Sequence, residues 1–269
     1  MKILVTHINP HLDDISAMWL FKRFHPGFSE INLEFISASR DACKDESEDK
    51  IYLGTGGGKY DEHKGDLADC ATSLVWKDFG AKGLLPKDEI TIKALKELIE
   101  WNTLIDLGRF PSHDFEEFSV PSFIRPKDSN IESSKKSVEL GFEILGRILE
   151  VLKRKQQSIK DWENHTEFES VFGKAVAIES QTVDREFCRT HAGNLFLIVD
   201  PKNRSVQYFT PSFKIDLEPI YNKVKELDPD ASWFLHQSHH MVLCGGGSAP
   251  EFTATKLSFE QLIEAAKTI

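Results

Sequence analysis

The sequence predicts an α/β protein: a doubly wound, mostly parallel sheet followed by a smaller C-terminal α+β domain. Three observations predict it. Short apolar runs alternate with stretches of helical period through the first half. Polar loops rich in histidine and aspartate follow the ends of the predicted strands. Near residue 174 the pattern changes to short strands joined by tight turns. At 269 residues with 40% hydrophobic content, the chain can bury at least one large core, and two domains with a connector suit its length. The expected divisions are 1–130, 131–173 and 174–269.

Lys2 to Thr6 is apolar and partly β-branched, a first strand that runs straight into His7, Asn9, Pro10 and His11. Asp13 or Asp14 then caps a helix whose Ile15, Met18, Trp19 and Leu20 face inward. Trp19, Phe21 and Phe24 are assigned to packing. Ile31 to Ile36 and Ile51 to Leu53 read as the second and third strands, the latter ending in GTGGGKYDEHK. The acidic stretch Asp41 to Asp49 reads as a solvated loop. Helices are expected at Thr72 to Phe79 and at Asp88 to Ile105, the second with a clear period through Ile92, Leu95, Leu98 and Ile99. Pro111, Pro121 and Pro126 break the pattern from Arg109 to Asn130, which predicts a loop or lid. A long amphipathic helix from Ile131 to Gln157 and a further one from Trp162 to Phe172 complete the connector. Strands follow at Ala175 to Ile178, Leu195 to Val199 and Val206 to Phe209, then a histidine-rich strand pair in WFLHQSHHMVLC, three glycines and a closing helix from Ser258.

Charge bounds the partners. Lys and Arg total 33 against 43 Asp and Glu, and the resulting net charge of −10 gives no overall attraction to a polyanion. A nucleic-acid substrate needs a locally basic groove or a bound metal. No apolar run approaches the roughly 20 residues of a membrane span, and the opening lacks a signal peptide's cationic and apolar regions, so a cytoplasmic protein without membrane contact is expected. The four cysteines form no C-x-x-C pair, which predicts reduced structural thiols.

Two clusters carry the chemistry. His7, His11, Asp13 and Asp14 sit at the carboxyl end of the first strand, where imidazole and carboxylate together suit a divalent cation. The same residue types also cap helices and decorate loops. Asp61, Glu62 and His63 follow glycines that let the backbone turn sharply and present N–H groups to an anion, though this segment is equally good chemistry for a surface turn. Asp106 adds a carboxylate at the end of a helix.

T-H-I-N-P-H-L-D-D followed by G-T-G-G-G-K-Y-D-E-H-K resembles the DHH phosphoesterases, most closely the MYG-type (melanocyte-proliferating-gene) branch, where T-H-x-x-x-x-H-x-D-E precedes D-V-G-G-x-Y-D-H-H. The similarity is concentrated in roughly the first 110 residues, with a fainter echo in the C-terminal glycines. It implies a metal-dependent phosphodiesterase or exonuclease acting on RNA, oligonucleotides or nucleotides. His7, His11, Asp13, Glu62 and Asp106 are then the metal ligands, and His63 with Asp61 the catalytic residues. Gly57, Gly58, His239, His240, Gly245, Gly246 and Gly247 would grip the substrate. Manganese is the first choice of metal, with Zn, Mg, Fe and Co the alternatives. Two departures stand out: Gly54 occupies the place of the family's bridging aspartate, and Glu62 that of the first histidine of D-H-H. They motivate a second reading, a degenerate scaffold that binds a nucleotide or protein partner. A third follows from P-H-L-D-D, which resembles the P-H-P-D-D of zinc-dependent N-deacetylases, with His236 and His239 as the later histidine pair.

Overall fold

A computed structural model describes every residue except 1, 39–42, 44, 65–67, 112, 113, 248, 250 and 269, and the backbone only of Lys64. Positions 41, 42 and 44 of the expected acidic loop therefore lie outside the described residues. The chain divides into two compact units, residues 1–153 and 154–269.

The first unit is built on three parallel strands, β1 (Lys2–His7), β2 (Ile31–Ile36) and β3 (Lys50–Tyr52), in the order β2-β1-β3. The chain leaves β1 for one neighbour and returns to the other. The carboxyl end of β1 is thus a topological switch point, where open α/β sheets leave room for a ligand. Helix α1 (Leu12–Phe24) is buried along Leu12 to Phe21, and α2 (Ala71–Ala81) and α3 (Glu89–Asp106) pack against it and each other. The core contains Leu4, Ile15, Met18, Phe79, Leu95 and Leu98. Trp19 and Phe21 are buried and Phe24 packs on this core.

The proline-rich stretch is not wholly loop. A 3-10 turn at Glu116–Phe118 leads into a short helix, α4 (Val120–Ile124), in which Pro121 stands in the first turn, where a missing N–H costs nothing, and Ser119 caps it. Helix α5 (Ile131–Trp162) is one continuous helix, longer than its expected end at Gln157. Its Val138, Leu145 and Leu149 are buried in the first core, and Gly141 lets it approach α1 closely, for a Cβ there would lie 2.5 Å from Ile15 Cγ2.

The second unit holds a six-stranded mixed sheet: β4 (Thr166–Ser170), β5 (Gly173–Glu179), β6 (Leu195–Asp200), β7 (Ser205–Phe209), β8 (Trp233–Leu235) and β9 (Met241–Cys244), ordered β4-β5-β6-β7-β9-β8. Helices α6 (Arg185–Arg189), α7 (Glu218–Leu227) and α8 (Phe259–Lys267) accompany it. Alternate residues of β5 feed two cores, Ala175 and Ala177 into one, Val176 and Ile178 into the other. The expected helix from Trp162 to Phe172 is instead the strand β4. Phe168 packs on the core between the charged Glu167 and Glu169, a period of two, and antiparallel pairing with β5 fixes it as an edge strand. His236 to His240 lie in the turn between β8 and β9, not on the strands, and His239 has a left-handed backbone (φ 57°). All four cysteines are free thiols. No helix among the described residues is long and apolar enough to cross a membrane.

Candidate metal centre

His7 ends β1, and its ring is held on both sides. Nδ1 lies 2.8 Å from the Ile8 carbonyl oxygen, and Nε2 lies 3.1 Å from Asp14 Oδ2. The carbonyl contact fixes Nδ1 as the protonated nitrogen, which leaves Nε2 as the atom that can ligate a cation once it loses its own proton. The hydrogen bond to Asp14 outweighs burial and pushes the His7 pKa up to about 9. His11, the residue before α1, brings its ring edge-on to His7 at 5.3 Å between centroids.

His11 is the N-cap of α1; of the two aspartates expected to cap the helix, Asp14 completes the capping box and Asp13 does not take part. Asp14 accepts a hydrogen bond from the His11 amide at 2.7 Å, tying down the helix start while facing the two histidines. Asp13 points the other way, toward α2. Its carboxylate accepts from the amides of Ala71 (2.7 Å) and Thr72 (3.0 Å) and from Asn102 Nδ2 (2.8 Å). A carboxylate among the first amides of a helix is favoured by those donors and by the helix dipole. Burial, and then the neighbouring Asp14 charge, still raise the Asp13 pKa above the ordinary value. Asp13, expected as a ligand, has most of its acceptor capacity engaged in anchoring α2. The liganding atoms of His7, His11 and Asp14 lie within 4.8 Å of one another, so that Asp14 replaces Asp13 in the first convergent set.

Gly54 leaves room for the Asp14 carboxylate. The residue follows β3 with φ 62°, and a Cβ built on it would overlap Asp14 Oδ1. The space that a side chain at position 54 needs is filled by the Asp14 carboxylate. The absence of a side chain at position 54 and the placement of the Asp14 carboxylate are therefore coupled in space.

The Gly-rich turn presents no open cradle. The Gly57 amide donates to Asp61 Oδ2 at 2.7 Å, and the Glu46 carboxylate lies against Gly58 and accepts from the Lys59 amide. Gly57 and Gly58, expected to hold a substrate anion, instead accommodate the chain's own carboxylates. Asp61 is buried, and its Oδ1 accepts from the His63 amide and lies 2.8 Å from His63 Nδ1. Burial alone would raise the Asp61 pKa, but the Gly57 amide and His63 hold it below the ordinary carboxylate value. The same hydrogen bond, with the Glu62 charge, raises the pKa of the exposed His63. Asp61 thus orients the His63 ring through Nδ1.

Between them, Glu62 has one oxygen, Oε2, that is shut off from solvent and has no hydrogen-bond partner. Burial, with the nearby Asp13 and Asp14 charges, pushes its pKa up to about 7. Asp106, at the exposed end of α3, is raised to about 6 by desolvation of its carboxyl and by the same two aspartates. It forms a second convergent group with Asp13 and Cys70, and Asp61, Glu62 and His63 form a third. A cleft of about 620 Å³ is lined by members of all three groups, including His7, His11, Asp14, Glu62, His63 and Asp106. An orphaned carboxylate oxygen beside two imidazoles and a surplus of negative charge is a donor set that fits a divalent cation. Sequence reasoning missed Asn102 and Thr72, whose contacts with Asp13 link residues distant in the chain and leave no local pattern.

The C-terminal candidates separate. His239 and His240 line a cavity of about 400 Å³ with Phe213, Asp216 and Ser238, and His239 Nδ1 lies 3.0 Å from Asp216 Oδ1. Gly245 to Gly247 are not among that cavity's lining residues. Gly245 (φ 81°) serves packing, since a Cβ there would run into the Phe252 ring. His236 and His239 of the deacetylase reading fall in the second unit, whereas His11 and Asp14 fall in the first.

No protein-family model and no curated protein matches the chain. Among solved structures, it is similar to RecJ from Thermus thermophilus, crystallised in complex with Mg2+, at 12% identity and a TM-score of 0.31 over 98% of this chain. The chain spans about half the length of that protein, 49%. At that degree of similarity the chemistry of the site rests on its own residues.

Proposed function

We propose that the first unit is the catalytic unit of a divalent-metal-dependent phosphoester hydrolase, a phosphodiesterase or exonuclease in type, with manganese as the first candidate ion. The observation that carries this reading is the convergence of His7, His11 and Asp14 with the unpartnered Glu62 oxygen on one cleft, next to a histidine held by a buried aspartate. His7, His11, Asp14 and Glu62 would hold the ion, with Asp106 on the opposite wall. A bound divalent cation supplies Lewis-acid polarisation of a phosphoryl oxygen. His63, protonated and oriented through Nδ1 by Asp61, holds its second N–H for a developing negative oxygen of the leaving group. Asp13 acts at one remove by fixing the start of α2 beneath the cleft. The second unit, with His239 and Asp216, is proposed as a substrate-binding domain in its own right.

The test is metal content and activity together. Protein purified without chelator is expected to retain about one or two equivalents of Mn, Zn or Fe by plasma mass spectrometry, and His11→Ala and Asp14→Ala to retain none. Mn-loaded wild type should hydrolyse bis(4-nitrophenyl) phosphate, and His63→Ala should slow it by about 10²-fold or more without loss of metal. A protein that stays metal-free after incubation with Mn and Zn would sink the hydrolase and leave the non-catalytic scaffold.

A further inference from the structure

His11, Asp13 and Asp106 line not one cavity but two. The second, of about 570 Å³, adds residues of α4 and the stretch after it to that shared edge. Part of its lining is apolar, Pro10 and Leu12 at the start of α1, Ile105 at the end of α3, and Pro121 and Ile124 on α4, beside polar groups such as Asn102. At its rim stand Arg125 and Lys127, both exposed, and neither forms an ion pair or hydrogen bond among the described residues. Several cations among the described residues are paired, as in Lys50 with Glu34 and Asp45, Lys77 with Asp69, and Lys82 with Asp78. Two adjacent cations left free beside a carboxylate-rich site are placed for an external anion. Prolines and branched side chains on three walls favour a flat, apolar group between them, and the volume lies within the roughly 300–1,000 Å³ of small-molecule sites.

We propose that this cavity holds the organic group attached to the substrate phosphate, a planar apolar moiety about the size of one nucleoside. Arg125 and Lys127 then meet the phosphate oxygens turned away from the acidic cleft. The proposal rests on the phosphoester reading. It places recognition of that group within residues 1–153, between the starts of α1 and α4 and the end of α3, and assigns to α4 the role of a specificity wall.

Calorimetric titration of the Mn-loaded full chain with adenosine 5′-monophosphate and with ribose 5-phosphate tests it. The nucleotide should bind at least about tenfold more tightly than the sugar phosphate, and Arg125→Gln/Lys127→Gln should weaken both by about tenfold, roughly 1.4 kcal/mol. Equal affinities for the two ligands, no binding of either, or an unchanged double variant would overturn the proposal. Hydrolysis of bis(4-nitrophenyl) phosphate by the same samples separates the two ideas. Hydrolysis without a nucleotide preference removes the cavity's role and leaves the hydrolase. A nucleotide preference without hydrolysis in any metal upholds the cavity and removes the hydrolase.

Discussion

Asp13 holds the amino end of α2 by accepting from Ala71, Thr72 and Asn102, so truncating it leaves three buried donors without their acceptor. Asp13→Ala is expected to lose about 3 kcal/mol or more in chelator-containing urea titrations. Asp14→Ala gives up one helix-start hydrogen bond and the His7 contact, and should cost about 1–2 kcal/mol while abolishing metal uptake. The opposite ranking would mean that the roles are reversed. At position 54, introducing an aspartate is expected to do harm. The backbone there is left-handed and the side-chain volume already belongs to Asp14, so Gly54→Asp should destabilise by about 1–3 kcal/mol and lower metal content. Residue types were legible at this scale: histidines and carboxylates after a first strand and in a turn after a third could be read as one site. Which of two adjacent aspartates turns toward His7 and His11 was not, because the choice depends on α2 arriving beside Asp13 from nearly 60 residues away.

Elements were legible where their period was long. The α3 pattern and the first two strands followed directly from the spacing of their apolar residues, whereas β4, five residues with a single apolar position between glutamates, has too few residues to declare a period of two. The turn carrying His236 to His240 was hidden in an apolar context that reads as strand on either side. The close approach of α5 to α1 at Gly141 gives a test at this scale. Alanine there gains about 1 kcal/mol of helix propensity. It also drives a methyl against Ile15, and the overpacking, worth about 1–3 kcal/mol, should win. Gly141→Ala is therefore expected to lower the melting temperature, and in a double-mutant cycle with Ile15→Ala, which removes Cγ2, the two losses should be less than additive.

For the molecule as a whole, the site is a concentration of unbalanced negative charge in the absence of an ion. Glu62 and Asp106 have folded pKa values raised to about 7 and about 6, so each binds a proton in the folded chain that the unfolded chain has already released above pH 4–5. Their contribution falls as pH rises toward 7. His7, raised to about 9, contributes stability that is complete below pH 6.5 and is lost as pH climbs through 9. All three act in the same direction. In chelator the melting temperature should drop by on the order of 5 °C between pH 5.5 and 8.5. Added Mn should raise it more at pH 8 than at pH 5.5, because the ligands must shed those protons to bind the ion. A chelated protein whose stability rises over that range would contradict the arrangement of charges described for the cleft.

The shared volume of Gly54 and Asp14 has a consequence for how this cleft is shaped. Two positions forty residues apart on the chain draw on one space, so any side chain added at position 54 must push aside the carboxylate that faces His7. The fit of the cleft is set jointly by a glycine after β3 and an aspartate on α1, and neither choice makes sense from its own neighbours in the chain. A glycine here acts as a mould: what it leaves out gives another residue its form.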